Sequence, residues 1–486
     1  MKKYFPKFFL NHSLITLSIA YFLSRLPFLT KLPIFNDEAI YLDWGWKSLH
    51  TSAGLFYSLY DAKPPLLIWI FGIFESVIGS PLFAGRLVSV LAGLLTLIGI
   101  YKVAIKLEDR KVALLASVFY ILIPIFTFFD RQALMESAIA TSGIWSFYFL
   151  LKCLEGKKLK YPVFLGIIIG IGIFIKLQAL VFLVSVVILL IYKKHFKSAI
   201  ISFIACLVTL SPLLFQKTFW ATSGSNSRFM LSIPEILSFP FGSWFKNLSM
   251  TFRVSFFHLT PLVFLLSIFG IYLFIKNKKP VLPAFFLINI FLIVLLGRSL
   301  NPRYISPFLV LTPIFCSYAI FSFKNKISLL VGGATILVPL IITTLLIFSP
   351  ITYFDFLGKF TSTSQKDGYL SGWTSGYGIP ETVKYLTEQG KDKQIIVGVR
   401  IDAGNPESAM FAYFNSSKNV YVIYLDPRII NPELLKLPCL PANVPIFFVA
   451  RDGMLNGLDK FFKEDIRFGK AEGNNFISVN SLKKCN

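Results

Sequence analysis

YPVFLGIIIGIGIFIKLQALVFLVSVVILLIY, residues 161–192, decides how this chain is built. An apolar helix crosses a bilayer with about 20 residues. This run of 32 is too long for one ordinary span and short for two full ones. Basic residues flank it, with Lys157, Lys158 and Lys160 before and Lys193, Lys194 and Lys197 after. A single crossing would put the two clusters on opposite sides, against the rule that short Lys/Arg-rich loops stay cytoplasmic. Two short helices turning near Lys176 put both on one side. The run therefore predicts a helical pair with a lysine at its turn.

Outward from that pair, apolar stretches separated by charged punctuation predict further spans at 11–29, 82–101, 112–129, 132–151, 198–215, 259–275, 281–297, 304–323 and 328–349. The fold class that follows is all-α and membranous. It is a polytopic bundle of about eleven helices over 1–350, with the N-terminus cytoplasmic and the C-terminus outside. The Lys2–Lys3 start resembles a signal peptide, but no small-residue cleavage site follows, so it reads as a retained first helix. The composition agrees, at 55% apolar and 15% charged with a mean hydropathy of +0.68. The net charge of +23 raises nucleic-acid binding as an alternative. However, 19 of the basic residues sit in six short loops, among them Lys2, Lys3, Lys7, Lys102, Lys106, Lys276 and Lys324. Charge spread this way orients spans, whereas a nucleic-acid surface gathers it on one face, so nucleic acid is excluded as a partner.

Four stretches then face outside: 30–81, 216–258, 298–303 and everything past about 350. The segment 64–78 (PPLLIWIFGIFESVI) reads as a helix lying along the interface. The Ser/Gly-rich stretch 222–227 reads as a mobile loop. Past Pro350 the composition becomes ordinary. Helical patterns near 380–389, 406–414 and 455–463 alternate with strand-like 395–401, 420–425 and 445–450, which predicts a small extracytoplasmic α/β domain over 351–486. Cys439 and Cys485 fall in it and are equally readable as a disulfide or as two thiols.

Ionisable groups near a membrane are costly, so each is a functional candidate. In this topology they gather on the outer rim: Asp37 and Glu38 after the first span, Asp130 and Arg131 at the end of the third, Glu136 one turn into the fourth, Lys176, Arg298, Arg303 and Lys63. Carboxylates and cations on one rim suit an anionic, phosphate-bearing substrate. Simpler roles compete. Asp130–Arg131 would cap helix ends, Arg25 and Arg86 would snorkel from span ends, and His258 reads as structural.

In order along the chain, the motifs NDEAIYLDWG (36–45), DAKPPLLIW (61–69), GRLVSVLAGLLTLIGIY (85–101), DRQALMESAIATSGIWSFYFLLK (130–152), GIIIGIGIFIKLQALVFL (166–183), NPRYISPFLVLTPI (301–314) and YLSGWTSGYGIPETVKYL (369–386) resemble a known group. They look like the GT-C-type glycosyltransferases of the protein O-mannosyltransferase and lipid A aminoarabinose transferase superfamily, in its bacterial branch. The resemblance covers most of 10–390 and implies a polyprenyl-phosphate monosaccharide as donor. It makes Asp37, with Glu38 and Glu136, the catalytic acids, Asp37 being the general base. It places Lys63, Arg131, Lys176, Arg303 and Tyr304 at the donor phosphate and substrate. No cofactor is required by this chemistry. A divalent metal is optional, with Asp37, Glu38 and His258 as its candidate ligands. The acceptor stays open between a protein, a glycolipid and a wall polymer. The expected location is the plasma membrane, and the partners are the lipid donor and the bilayer. Two other readings compete: a transporter or flippase for a lipid-linked anion, which calls for internal repeats and charge across the membrane, and a membrane-anchored sensor.

Overall fold

The computed structural model describes residues 13–485 except 157, 362, 441 and 442. The expected N-terminal basic cluster (Lys2, Lys3, Lys7), the start of the first span and Lys157 lie outside the described residues. The chain divides into two compact units. One comprises Met1–Pro27, Leu55–Leu67 and Arg86–Ser349, and the other Phe28–Gly54, Ile68–Gly85 and Pro350–Asn486.

The first unit is helical. Among the described residues, five helices are long and apolar enough to cross a membrane by themselves: Pro81–Leu107, Glu136–Glu155, Phe196–Leu214, Pro302–Ser322 and Asn325–Phe348. Two bent pairs raise the number to seven if each is one span. The count of eleven therefore rests on also taking four shorter apolar helices as spans: Ser13–Arg25, Lys160–Ile175, Leu177–Tyr192 and Val281–Leu296.

The helices depart from the expected runs where proline dictates. The run 112–129 is Arg110–Leu122 and Pro124–Asp130, bent by 65°. Ile123 precedes Pro124, whose ring pushes it into extended backbone (φ −68°, ψ 123°). The stretch 131–135 is not helical, so Glu136 is the first residue of its helix rather than one turn inside it. The expected span 259–275 is Pro261–Lys276, and Phe241–His258 meets it at 115°. Prolines at 302, 307 and 313 break Pro302–Ser322 into a single α turn, Pro302–Ile305, a 3-10 stretch, Ser306–Leu311, and the helix Thr312–Ser322. The break in 161–192 falls at Lys176, as the charge pattern predicts. Helix Lys160–Ile175 ends there, Lys176 is extended (φ −159°, ψ 129°), and helix Leu180–Tyr192 follows a 3-10 turn.

The stretch 222–227 is not a free loop. Thr222 caps the short helix Lys217–Ala221 and a 3-10 turn, Ser223–Arg228, follows, tied down by the Thr222 hydroxyl to the Leu59 carbonyl (2.8 Å) and by the Arg298 Nε to the Ser227 carbonyl (2.6 Å).

The second unit is mixed. Its five-stranded sheet runs β2-β1-β3-β5-β4, with β1 (Ile395–Val399), β2 (Val420–Tyr424), β3 (Ile446–Arg451), β4 (Phe462–Gly469) and β5 (Phe476–Leu482). β1 pairs parallel with β2 and β3, and β5 runs antiparallel to both β3 and β4. The helices Ile379–Gln389 and Glu407–Phe414 stand where their patterns predict. The helix expected at 455–463 is absent. Leu455, Leu458, Phe461 and Phe462 instead pack as a hydrophobic cluster with Phe448 and Ala450, and Phe462 already opens β4. Cys439 and Cys485 form a disulfide with Cα atoms 5.4 Å apart. This unit also includes helix Asn36–His50 and most of helix Leu66–Ile78.

Candidate active site

In the helical unit, three separated stretches converge on one buried carboxylate. Glu136 is 1% exposed, and its Oε1 accepts from Lys176 Nζ at 3.0 Å and from Arg303 Nε at 3.3 Å. Each partner is delivered by a helix break. Lys176 sits where the paired short helices part, its backbone N–H donating to the Gly172 carbonyl (2.9 Å). Arg303 sits in the turn Pro302–Ile305, whose start is capped by Asn301, its side-chain oxygen accepting from the N–H groups of Arg303 and Tyr304. The Tyr304 ring lies 4.8 Å from Lys176 Nζ, and its carbonyl accepts from Gln178 (2.6 Å). Lys176 and Arg303 keep 20% and 19% of their side-chain surface open while the acid between them is sealed. The arrangement presents two cations from a fixed base.

Beside it runs a second buried network. Arg25, the last residue of its helix, is fully buried and pairs through Nε with Asp130 Oδ2 at 3.1 Å. Its other nitrogens donate to the carbonyls of Ile121 (2.8 Å) and Tyr120 (3.2 Å) at the end of helix Arg110–Leu122. Tyr120 Oη (3.1 Å) and Ser137 Oγ (2.8 Å) complete the shell of Asp130. Arg131 donates to the Arg25 carbonyl (2.5 Å). This network fixes the junction that carries Glu136. A cleft with room for about one water opens between the two, lined by Asp130, Glu136, Ser137 and Ser306. Arg25 and Arg86 are therefore not snorkelling residues; both have zero exposure. The available signal was an opposite charge, Asp130, at the matching end of another span.

Lys63 pairs with Asp61, which also accepts from Arg228 at 2.6 Å. Arg228 thus joins Lys63, though its sequence context gave it no prominence. Arg298 is bound instead to Glu235 (2.8 Å). His258 is buried, and its Nε2 makes no hydrogen bond.

In the mixed unit, Asp37 and Glu38 open helix Asn36–His50. Glu38 is fully buried, and its Oε2 accepts from the Phe35 N–H (2.9 Å), reaching back to its own helix start. Asn36 Nδ2 donates to Asp37 Oδ1 (3.3 Å). The terminal domain holds this turn. The Asn405 N–H donates to Asn36 Oδ1 (3.1 Å), and Asn405 Nδ2 donates to the carbonyls of Ile34 (3.0 Å) and Thr374 (3.1 Å). Two glycines allow that approach. A Cβ on Gly404, at φ +107°, would sit 1.7 Å from Asn36 Oδ1, and one on Gly376 would sit 2.0 Å from the Ile34 carbonyl oxygen. The motif at 369–378 is thus a clamp on the Asp37 turn. Further along the same helix, Asp43 bonds Lys47 (2.8 Å), yet burial pushes its carboxyl up to about 6. Burial, with the charge of Asp43, pushes Glu75 up to about 8. Among the described residues no group of three or more His, Cys, Asp or Glu side chains could hold a metal ion.

The sequence pattern of the dolichyl-phosphate-mannose-protein mannosyltransferase family matches residues 62–216. A comparison with curated proteins finds no match. Among solved structures, ArnT from Cupriavidus metallidurans in the apo state superimposes with a TM-score of 0.58 at 14% identity, covering 95% of this chain and 96% of that one. The same protein bound to undecaprenyl phosphate gives 0.55 at 15%, covering 96% and 97%. An Archaeoglobus fulgidus oligosaccharyltransferase, in complex with zinc and sulfate, gives 0.53 at 12%, covering 96% of this chain and 74% of that one. The sequence match lies across the segment that carries Lys63, Arg131, Glu136 and Lys176, the fold match extends over nearly the whole chain, and the two agree: this multi-pass membrane protein has the fold shared by ArnT and the archaeal oligosaccharyltransferase.

Proposed function

We propose that the chain transfers a monosaccharide from a polyprenyl-phosphate donor to an acceptor hydroxyl outside the cytoplasm, with inversion at the anomeric carbon. The observation that carries this reading is the pair Lys176 and Arg303 held side by side on Glu136. Departure of a phosphate develops negative charge on its oxygens, and cations fixed beforehand stabilise that charge without reorganising. Glu136 is committed to both cations, so its role is to position them rather than to exchange protons. Arg131 and Lys63 are assigned to the same anion. Undecaprenyl phosphate bound to a protein of this fold supports the choice of donor.

In the proposed step the acceptor oxygen attacks the anomeric carbon as its bond to the phosphate oxygen breaks. Asp37 takes the acceptor proton, and polyprenyl phosphate leaves with the bonding electrons. Backside attack inverts the centre. Asp37 suits the task because it stands on a turn clamped through Asn36 and Asn405. The chemistry calls for no metal. The disulfide supports an oxidising, extracytoplasmic setting for the terminal domain. A flippase for the same lipid has no feature here that favours it.

Asp37→Asn tests the assignment. The variant is expected to insert and melt like the wild type while losing transfer by at least about 10³-fold. Wild-type turnover in that variant removes Asp37 as the base.

A further inference from the structure

We infer that the carboxyl ends of β1 and β3 form the acceptor site, and that the acceptor it takes is a neutral carbohydrate. The word "acceptor" rests on the proposed transferase function; the carbohydrate site itself does not. β1 lies between β2 and β3, parallel to both, so the chain leaves β1 toward one neighbour and returns later on its other side. Such a switch point leaves a crevice beyond the strand carboxyl ends, where open α/β sheets bind their ligands.

The residues at that crevice fit a polyhydroxylated ring. Arg400 follows β1 and Arg451 closes β3. Glu407, 1% exposed, accepts from Arg400 Nε (3.2 Å) and Arg451 Nη2 (2.7 Å). Asp402, 49% exposed, accepts from the same two arginines at 3.2 and 3.3 Å. Two guanidinium groups and two carboxylates cancel in charge, which disfavours a phosphate or a polyanion. They leave a rigid array of donors and acceptors suited to hydroxyl groups. Trp373, 50% exposed, lies against it with the Arg451 guanidinium carbon 5.0 Å from its ring. A half-open indole beside fixed polar groups offers the apolar C–H face of a sugar a surface to stack on. The same loop, 400–406, carries Asn405, whose N–H holds Asn36 next to Asp37. A sugar seated there rests on the same loop that holds the turn carrying the proposed base.

Binding is measured by saturation-transfer NMR on the full-length protein in detergent, with mannotriose, chitotriose, xylotriose and galactotriose as probes and no donor present. The expected result is saturable binding of at least one probe, weakened at least about tenfold by Trp373→Ala and several-fold by Asp402→Asn. Both side chains are half open, so these variants keep the fold, which thermal unfolding verifies. Asp37→Asn is expected to bind the probe as the wild type does. No saturable binding, binding indifferent to Trp373→Ala, or preference for sulfated or carboxylated trisaccharides overturns the inference. Transfer surviving in Asp37→Asn with probe binding intact overturns the catalytic assignment instead.

Discussion

Replacing Glu136 with Gln removes one charge and keeps the shape of the side chain. The amide oxygen still accepts from Lys176 and Arg303, but both bonds lose their ionised acceptor and keep only the charge of the donor. A hydrogen bond to a charged group contributes about 1.5–3 kcal/mol, and removing one of its two charges forfeits about half of that. With two such bonds, at 3.0 and 3.3 Å, the loss comes to about 1.5–3 kcal/mol in holding the cations together. If that positioning is felt only as the phosphate departs, the cost appears in turnover. Each 1.4 kcal/mol is a factor of ten, so kcat falls by about 10- to 100-fold. Donor affinity does not weaken, because the variant site carries one negative charge fewer beside an anion. Steady-state transfer from a polyprenyl-phosphate sugar in detergent or nanodiscs separates the two parameters. Glu136→Asp, one methylene shorter, recovers part of kcat. A raised KM at unchanged kcat refutes the positioning role and makes Glu136 a substrate contact.

Arg25→Met strands Asp130 in the helical core and is expected to cost about 3–5 kcal/mol, seen as a lower melting temperature. Arg25→Lys recovers little, since an ammonium cannot serve Asp130 and two carbonyls from one plane. Wild-type melting of Arg25→Met contradicts that network. Asp43 and Glu75, with carboxyls raised to about 6 and 8, bind protons more tightly folded than unfolded. Stability is therefore full below about pH 4 and declines as pH rises to about 8, with a ceiling of about 5 kcal/mol for Glu75. Thermal unfolding between pH 5 and 9 is expected to show that decline and Glu75→Gln to flatten it; an unchanged slope contradicts the assignment.

Much of the membrane architecture was readable because charge and apolar length act locally. The Lys176 break follows from basic residues on either side of one long run, and no distant contact was needed to find it. The pairing of Glu136 with Lys176 and Arg303 was not readable as a pairing. The sequence presents three ionisable groups near helix breaks, and only packing brings them to one oxygen. Arg25 misleads for the same reason. A span-end arginine snorkels by default, unless another helix supplies an acid at its depth, as Asp130 does. In the terminal domain the apolar stretch 455–463 has a helical appearance, yet its residues pack beneath a loop before β4. The clamp formed by Gly376, Gly404 and Asn405 is invisible without coordinates, because it holds a turn nearly 370 residues earlier in the chain.

In the proposed reaction, sugar leaves its lipid phosphate at this protein. Purified protein reconstituted in liposomes with a panel of labelled polyprenyl-phosphate sugars and a cell-envelope extract as acceptor addresses that directly. One donor is predicted to lose its label to the extract, releasing an equal amount of polyprenyl phosphate and giving a product of opposite anomeric configuration. Donors that remain intact, or that merely change leaflet, would contradict it.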